Sequence, residues 1–344
     1  MKLLRALAAT LLLPAFALAQ ATLPAKKVVF TSNARLGENE IRDLRAAAPS
    51  LNIVFPTREN LARELVDADG VVGGLNRQQF LSAKKLRWWQ ITSAGVENAL
   101  TGIPELRDSP VTVTNMKIVQ GVEIADHAFA LLLALTRRLD VAIEDRKTET
   151  WRSLANYGPP LELQGTTAVI LGVGGIGMQI AVRAKAFGMT VIGVDPKDIP
   201  YAPHLDRTVW PDRLDTVLPE ADVVFISAPH TPETDKMIGA QQFAKMKKGV
   251  LFIAVSRGKL YDNDALVASL QSGRVAAAGL DVTETEPLPK GHALWKTGRV
   301  IITPHLAGRS DGEGARYFEI YKENLQRFAQ GQPLRHTVDK QKGY

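Results

Sequence analysis

Residues 166–195 read T-T-A-V-I-L-G-V-G-G-I-G-M-Q-I-A-V-R-A-K-A-F-G-M-T-V-I-G-V-D. A short β-branched run leads straight into Gly172, Val173, Gly174, Gly175, Ile176 and Gly177. An amphipathic segment follows to Phe187, and a second apolar run ends on Asp195. The order is strand, G-x-G-x-x-G turn, helix and strand, with an acid at the second strand's end. Each part has a physical task in binding a dinucleotide. Gly172 permits the tight turn, Gly174 lets the backbone approach a pyrophosphate, and Gly177 lets helix and strand pack closely. The helix N-terminus adds unpaired N–H groups and the positive end of its dipole. Asp195 can accept hydrogen bonds from the adenosine ribose hydroxyls and repels a 2′-phosphate, which favours NAD and leaves NADP possible.

Around this unit, 344 residues provide for two domains with separate cores. With 45% hydrophobic and 23% charged residues, the composition is that of a soluble globular chain. The net charge of +6 comes from lysines and arginines scattered among acids, so no basic stripe marks a nucleic-acid partner. Cysteine is absent, which excludes disulfides, thiolate nucleophiles and cysteine-based zinc sites. His204, His230, His292 and His336 have no spaced partners, so no metal is expected. Residues 1–5 are basic, 6–18 almost wholly apolar, and A-L-A at 17–19 gives a small-x-small cleavage pattern. A cleaved signal over 1–19 is expected, directing the chain to the periplasm or outside the cell. The apolar run, broken by Pro14, is too short for stable membrane insertion. A misassigned start would instead leave the protein cytoplasmic.

Before the glycine-rich unit, apolar runs at 27–31, 52–55, 69–73, 86–92 and 111–115 alternate with helical patterns at 38–48, 58–66 and 78–83. That alternation predicts a small parallel α/β sheet. Trp88 and Trp89 fall on opposite faces of one strand, one expected in the core and the other near the 93–97 loop. Residues 122–140 read as one long helix, apolar most of the way round and therefore buried on more than one side. It serves as a bridge between domains and a candidate dimer surface, with His127 as a packed structural histidine. After Asp195, further strands are expected at 222–227, 250–255, 276–281 and 300–303, and a last helix over 312–328 crosses back to the first sheet. The expected fold is α/β: two doubly wound parallel-sheet domains, Rossmann-like and flavodoxin-like, with a cleft between them. Residues 25–121 plus 309–335 make the substrate-binding domain and 122–308 the NAD-binding domain.

In an open parallel sheet, ligands lie outside the carboxyl ends of the strands. Arg257, Asp281 and His305 all fall at such ends. Reducing a 2-oxo acid with nicotinamide needs a proton donor to the carbonyl oxygen, a cation for the acid and a group that tunes the donor. His305 suits the donor. Arg257, with its planar fork, suits the substrate anchor. Glu286 suits the partner that orients the imidazole. No G-x-S-x-G elbow is present, which disfavours acyl transfer.

Eight motifs then stand in a telling order: T-S-A-G-V-E-N (92–98), T-N (114–115), I-A-D-H-A-F-A-L-L-L-A-L-T-R (124–137), G-V-G-G-I-G (172–177), A-P-H-T-P-E-T (228–234), S-R-G (256–258), G-L-D-V-T-E-T-E-P-L-P (279–289) and T-P-H-L-A-G (303–308). Through them the span from about 27 to 330 resembles the D-isomer-specific 2-hydroxyacid dehydrogenases, of the glyoxylate/hydroxypyruvate reductase type. The resemblance implies that Arg257, Glu286 and His305 are the catalytic set. It implies that the backbone N–H groups of Ala94, Gly95 and Val96 hold the substrate carboxylate with Arg257. Asp281 would bind the nicotinamide carboxamide, Pro229 and Thr234 would line the cofactor, and Val255, Ser256 and Gly308 would complete its contacts. A small 2-oxo or 2-hydroxy acid is the implied partner, and a homodimer through the interdomain helix the implied assembly.

Two positions depart from the family's pattern. Glu is usual where Asp126 stands, and Asn is common where Ala254 stands, so one polar contact near the cofactor is lost. Two other functions stay open: a non-catalytic NAD(H)-sensing binding protein of the corepressor type, and a dehydrogenase acting on formate, phosphite or 3-phosphoglycerate.

Overall fold

Most of the strand-forming runs in this chain are continuously apolar rather than alternating, and such strands must be covered on both faces. The computed structural model describes residues 26–31, 36–199 and 202–344; the signal expected over 1–19 lies outside the described residues. The strands fall into two sheets whose ladders are all parallel. The first contains β1 (Lys26–Phe30), β2 (Leu51–Val54), β3 (Gly70–Val72), β4 (Trp88–Gln90) and β5 (Thr112–Thr114), in the order β2-β1-β3-β4-β5. The second contains β6 (Thr167–Leu171), β7 (Thr190–Val194), β8 (Arg207–Val209), β9 (Val223–Ile226), β10 (Val250–Ala254), β11 (Val275–Leu280) and β12 (Val300–Ile302), in the order β12-β11-β10-β9-β6-β7-β8. Both orders are doubly wound, and the second reverses direction between β6 and β9, where a cofactor crevice opens.

Register makes that crevice. Leu171 pairs with Val194 on one side and Ile226 on the other; Ala254 pairs with Ile226 and Leu280, and Leu280 with Ile302. Six carboxyl ends therefore stand level, so Asp195, Gly172, Ser227, Val255, Asp281 and Thr303 follow one another along one rim.

The helix expected over 122–140 is in fact two. One runs Gly121–Thr136, the chain turns through Arg138 at φ 62°, and a second runs Leu139–Lys147. The last carbonyls of the first helix are claimed from outside it. Leu161 N donates to Thr136 O at 2.8 Å, and the Arg299 guanidinium donates to Leu135 O. These donors satisfy carbonyls that the end of the helix leaves without an intrahelical partner. Its start sits close against the glycine-rich turn, because a Cβ on Gly121 would lie 2.7 Å from Gly175 O.

The tryptophan pair also departs from expectation in part. β4 lies inside its sheet and both indoles are buried; Trp88 Nε1 donates to Thr114 Oγ1 at 2.9 Å and Trp89 Nε1 to Gly73 O at 2.7 Å. They fill opposite faces, Trp88 with Phe30 and Tyr321 and Trp89 in the same apolar cluster as Val96 of the 93–97 loop, since a central parallel strand is covered on both sides. The last helix, Glu313–Gln330, returns to the first sheet and packs Tyr321 on Phe30 and Phe328 on Trp88.

Candidate active site

The glycine-rich turn follows β6 directly. Gly172 has φ 85°, where a side chain is strained, and a Cβ there would lie 2.5 Å from Ala228 Cα. A Cβ on Gly177 would lie 2.0 Å from Gly172 O, so only glycine lets the helix Gly175–Ala186 start this close to the strand. That helix has no side-chain cap, and its first N–H groups, at Gly174, Gly175, Ile176 and Gly177, have no hydrogen-bond partner among the described residues. A Cβ on Gly174 would meet nothing within 4 Å, so the bare turn borders open space. Asp195 is tied to this turn: its Oδ2 accepts from Val173 N at 2.8 Å and its Oδ1 from Lys197 N at 2.9 Å.

Further along the rim, Ser93, Ala94, Ile176, Val255, Ser256, Arg257, Asp281, His305 and Gly308 line one cavity of about 160 Å³. A larger surface hollow of about 450 Å³, bordered by Leu133, Arg137 and Phe187, contains none of these residues. Inside the smaller cavity, Ser256 Oγ is buried with no hydrogen-bond partner among the described residues. An orphaned hydroxyl beside an uncapped helix start is what a bound dinucleotide would satisfy, so the residues present fit NAD(P). Thr234 and Pro229 are joined in the turn after β9: Thr234 Oγ1 donates to Pro229 O at 2.8 Å and accepts from Thr231 N at 2.8 Å.

His305 and Glu286 meet at 2.7 Å between Nδ1 and Oε2. A carboxylate only accepts, so Nδ1 carries the proton and Nε2 is left as the exchangeable nitrogen. Thr283 N donates to Glu286 Oε1 at 3.0 Å and fixes that carboxylate. His305 is held at φ 52°, a conformation a non-glycine residue keeps only when its surroundings impose it. Asp281 supplies the constraint. His305 N donates to its carbonyl at 2.9 Å, while its carboxylate takes Leu306 N at 2.9 Å, Ala307 N at 3.0 Å and Thr303 Oγ1 at 2.6 Å. His127 Nε2 lies 2.9 Å from Thr303 Oγ1, which makes this packed histidine a support for the same turn.

Arg257 approaches from the end of β10, its Nη1 donating to Ser256 O at 2.7 Å. It faces the 94–96 loop, where the N–H groups of Ala94, Gly95 and Val96 have no partner among the described residues. That loop is pinned from behind, Asn115 Nδ2 donating to Ala94 O at 2.8 Å and Ser93 Oγ to Gly95 O at 2.7 Å. The arrangement is an anion seat: free amides on one side and a guanidinium on the other.

Four residues not singled out from the sequence also stand here. Glu97 accepts from Arg257 Nε; burial pushes its carboxyl up, but Arg257, then its own backbone N–H and last His230 outweigh this and hold it below the usual range. An acid inside the T-S-A-G-V-E-N motif was the available signal. Gln120 Nε2 donates to Gly308 O at 3.3 Å, and Arg309 joins the cavity wall. Tyr344 lies 4.7 Å from Lys197 Nζ at its ring centroid; burial first, then the charge of Asp195, pushes its phenol up. Nothing local in the sequence ties residue 344 to residue 197.

The family model described as "D-isomer specific 2-hydroxyacid dehydrogenase, NAD binding domain" matches residues 129–307. A glyoxylate reductase of Korarchaeum cryptofilum is 34% identical over 286 residues, covering 80% of this chain and 84% of that protein. A D-3-phosphoglycerate dehydrogenase of Archaeoglobus fulgidus is 32% identical over 287 residues, 82% of this chain but 54% of that protein, so the chain spans about half of that relative. Among solved structures, an NADPH-dependent glyoxylate/hydroxypyruvate reductase of Sinorhizobium meliloti in complex with NADP and sulfate superposes with a TM-score of 0.76 at 26% identity, covering 93% of this chain and 100% of that one.

Proposed function

The chain belongs to the D-isomer-specific 2-hydroxyacid dehydrogenases, and from that premise we propose that it reduces a small 2-oxo acid to the D-2-hydroxy acid, with His305 as the proton donor. The observation that carries this is the His305–Glu286 contact on the wall of a cavity shared with Arg257. When bound, the nicotinamide supplies the hydride. Arg257 and the amides of Ala94–Val96 hold the acid and polarise its carbonyl. His305 gives its Nε2 proton to the carbonyl oxygen, and Glu286 keeps the tautomer and steadies the imidazolium that must be restored. Asp281, through the 303–307 turn, holds the imidazole at the cavity wall.

The cofactor preference we assign is NAD over NADP, because the Asp195 carboxylate stands where a 2′-phosphate would add like charge. A homodimer through the interdomain helices belongs to the same reading. Leu139, Ile143 and Trp151 expose apolar side chains there, a face that a second copy would cover. A monomeric mass by light scattering would remove that part.

The test is NADH oxidation by the purified protein with glyoxylate, hydroxypyruvate and pyruvate. Turnover of at least one is expected. NADH binding without turnover of any 2-oxo acid would instead support a sensor that uses the same cleft.

A further inference from the structure

We propose that Glu97 is a specificity-determining residue that admits singly charged 2-oxo acids and rejects doubly charged ones, such as those bearing a phosphate or a second carboxylate. This rests on the reading of the cavity as a 2-oxo acid site. Glu97 opens the short helix Glu97–Gly102 just after the 94–96 loop, and its carboxylate is held on Arg257 Nε. The pair lies flat against bare backbone: a Cβ on Gly95 would sit 1.9 Å from Arg257 Nη2 and 2.4 Å from Glu97 Oε2. The arginine that seats the substrate is thus already neutralised on one edge.

Charge counting at the site shows the consequence. With His305 protonated for reduction, Arg257, Arg309 and His305 face Asp281, Glu286 and Glu97, three cations against three carboxylates. His230, which also faces Glu97, is balanced by Asp235 at 2.8 Å. A first substrate charge can rest on the free amides of residues 94–96. Summed over this set there is no excess positive charge for a second, and a second negative group beside Glu97 meets like charge in a partly desolvated pocket. Glutamine at 97 would keep the shape and the acceptor for Arg257 Nε while removing the charge.

Oxamate and oxalate test this directly, since the two share one planar skeleton and differ by one charge. Their binding to the NADH complex of the full chain is read by NADH fluorescence in wild type, Glu97→Gln and Glu97→Asp. Wild type is expected to favour oxamate. In Glu97→Gln the oxalate-to-oxamate affinity ratio should rise at least about tenfold, as expected for relief of one like-charge contact, and in Glu97→Asp it should stay near the wild-type value. Oxalate binding wild type as tightly as oxamate overturns the proposal without need of a variant. So does a ratio that Glu97→Gln leaves unmoved, which would make Glu97 a support for Arg257 alone and leave the reading of the site intact. If neither anion binds the NADH complex, the 2-oxo acid reading falls and this proposal with it.

Discussion

At the β6–β7 end of the rim, the binding surface is almost all backbone: the N–H groups of Gly174–Gly177, laid bare because glycine brings no side chain, with the Asp195 carboxylate tied to the same turn through Val173 N. At the β10–β12 end it is almost all side chain: Arg257, Asp281, Glu286 and His305, each braced by a partner from another loop. Backbone dipoles set by a helix cost no reorganisation and suit a ligand that is always the same. Ionisable side chains can gain and lose protons and suit the end where bonds change. The two ends should therefore fail in different ways when they are altered.

His305→Ala carries the largest expected effect. Without the donor, kcat should fall about 10²–10⁴-fold, while the dissociation constant for NADH, set at the other end, should stay within about twofold, well under the 1.4 kcal/mol of a tenfold change. Stopped-flow turnover with fluorescence-detected NADH binding checks both. A large loss of NADH affinity in this variant would mean the two ends are not separable.

Asp195→Ala attacks the opposite end and should be milder. It removes the acceptor of Val173 N and Lys197 N and the negative charge at the ribose position. The KM for NADH should rise about tenfold, as for a lost hydrogen bond to a charged group, with kcat unchanged. The preference for NADH over NADPH should narrow in the same variant. A fall in kcat with unchanged KM would reverse the roles of the two ends.

The same contrast governs what could be read before the structure. The β6–β7 end was legible almost whole, because a strand, a glycine turn, a helix and a strand form one contiguous unit with fixed spacing. At the other end the identities of Arg257, Asp281 and His305 were legible from their places after apolar runs. Their bracing was not, because Thr303, His127 and Asp281 meet only through register between β11, β12 and the helix Gly121–Thr136. Glu97 was visible as a residue but silent as a contact, since its partner lies 160 positions away. The break at Arg138 was hidden for a similar reason: the groups that meet the carbonyls at the helix end, Leu161 and Arg299, come from elsewhere in the chain. Apolar periodicity reports what a helix could do, not which distant groups meet its end.

Tyr344 tests how far the backbone end depends on a side chain after all. Its carbonyl accepts from Asp339 N at 3.1 Å, and Gly343 N donates to Asp339 O at 2.8 Å, so the tail is folded back on itself beside the first sheet. The ring then reaches Lys197, which leaves β7 just after Asp195. An ammonium over an accessible ring is worth about 0.5–1 kcal/mol. Spread over cofactor binding, that is about a two- to fivefold rise in the NADH dissociation constant for Tyr344→Ala. Tyr344→Phe should bind NADH like wild type, because the attraction needs the ring face and not the hydroxyl. If Phe were as damaging as Ala, the phenol beside Asp195 would be the group that matters. If Ala bound NADH unchanged, the glycine-rich turn and Asp195 would suffice at this end, and the comparison between a backbone end and a side-chain end would stand in its strongest form.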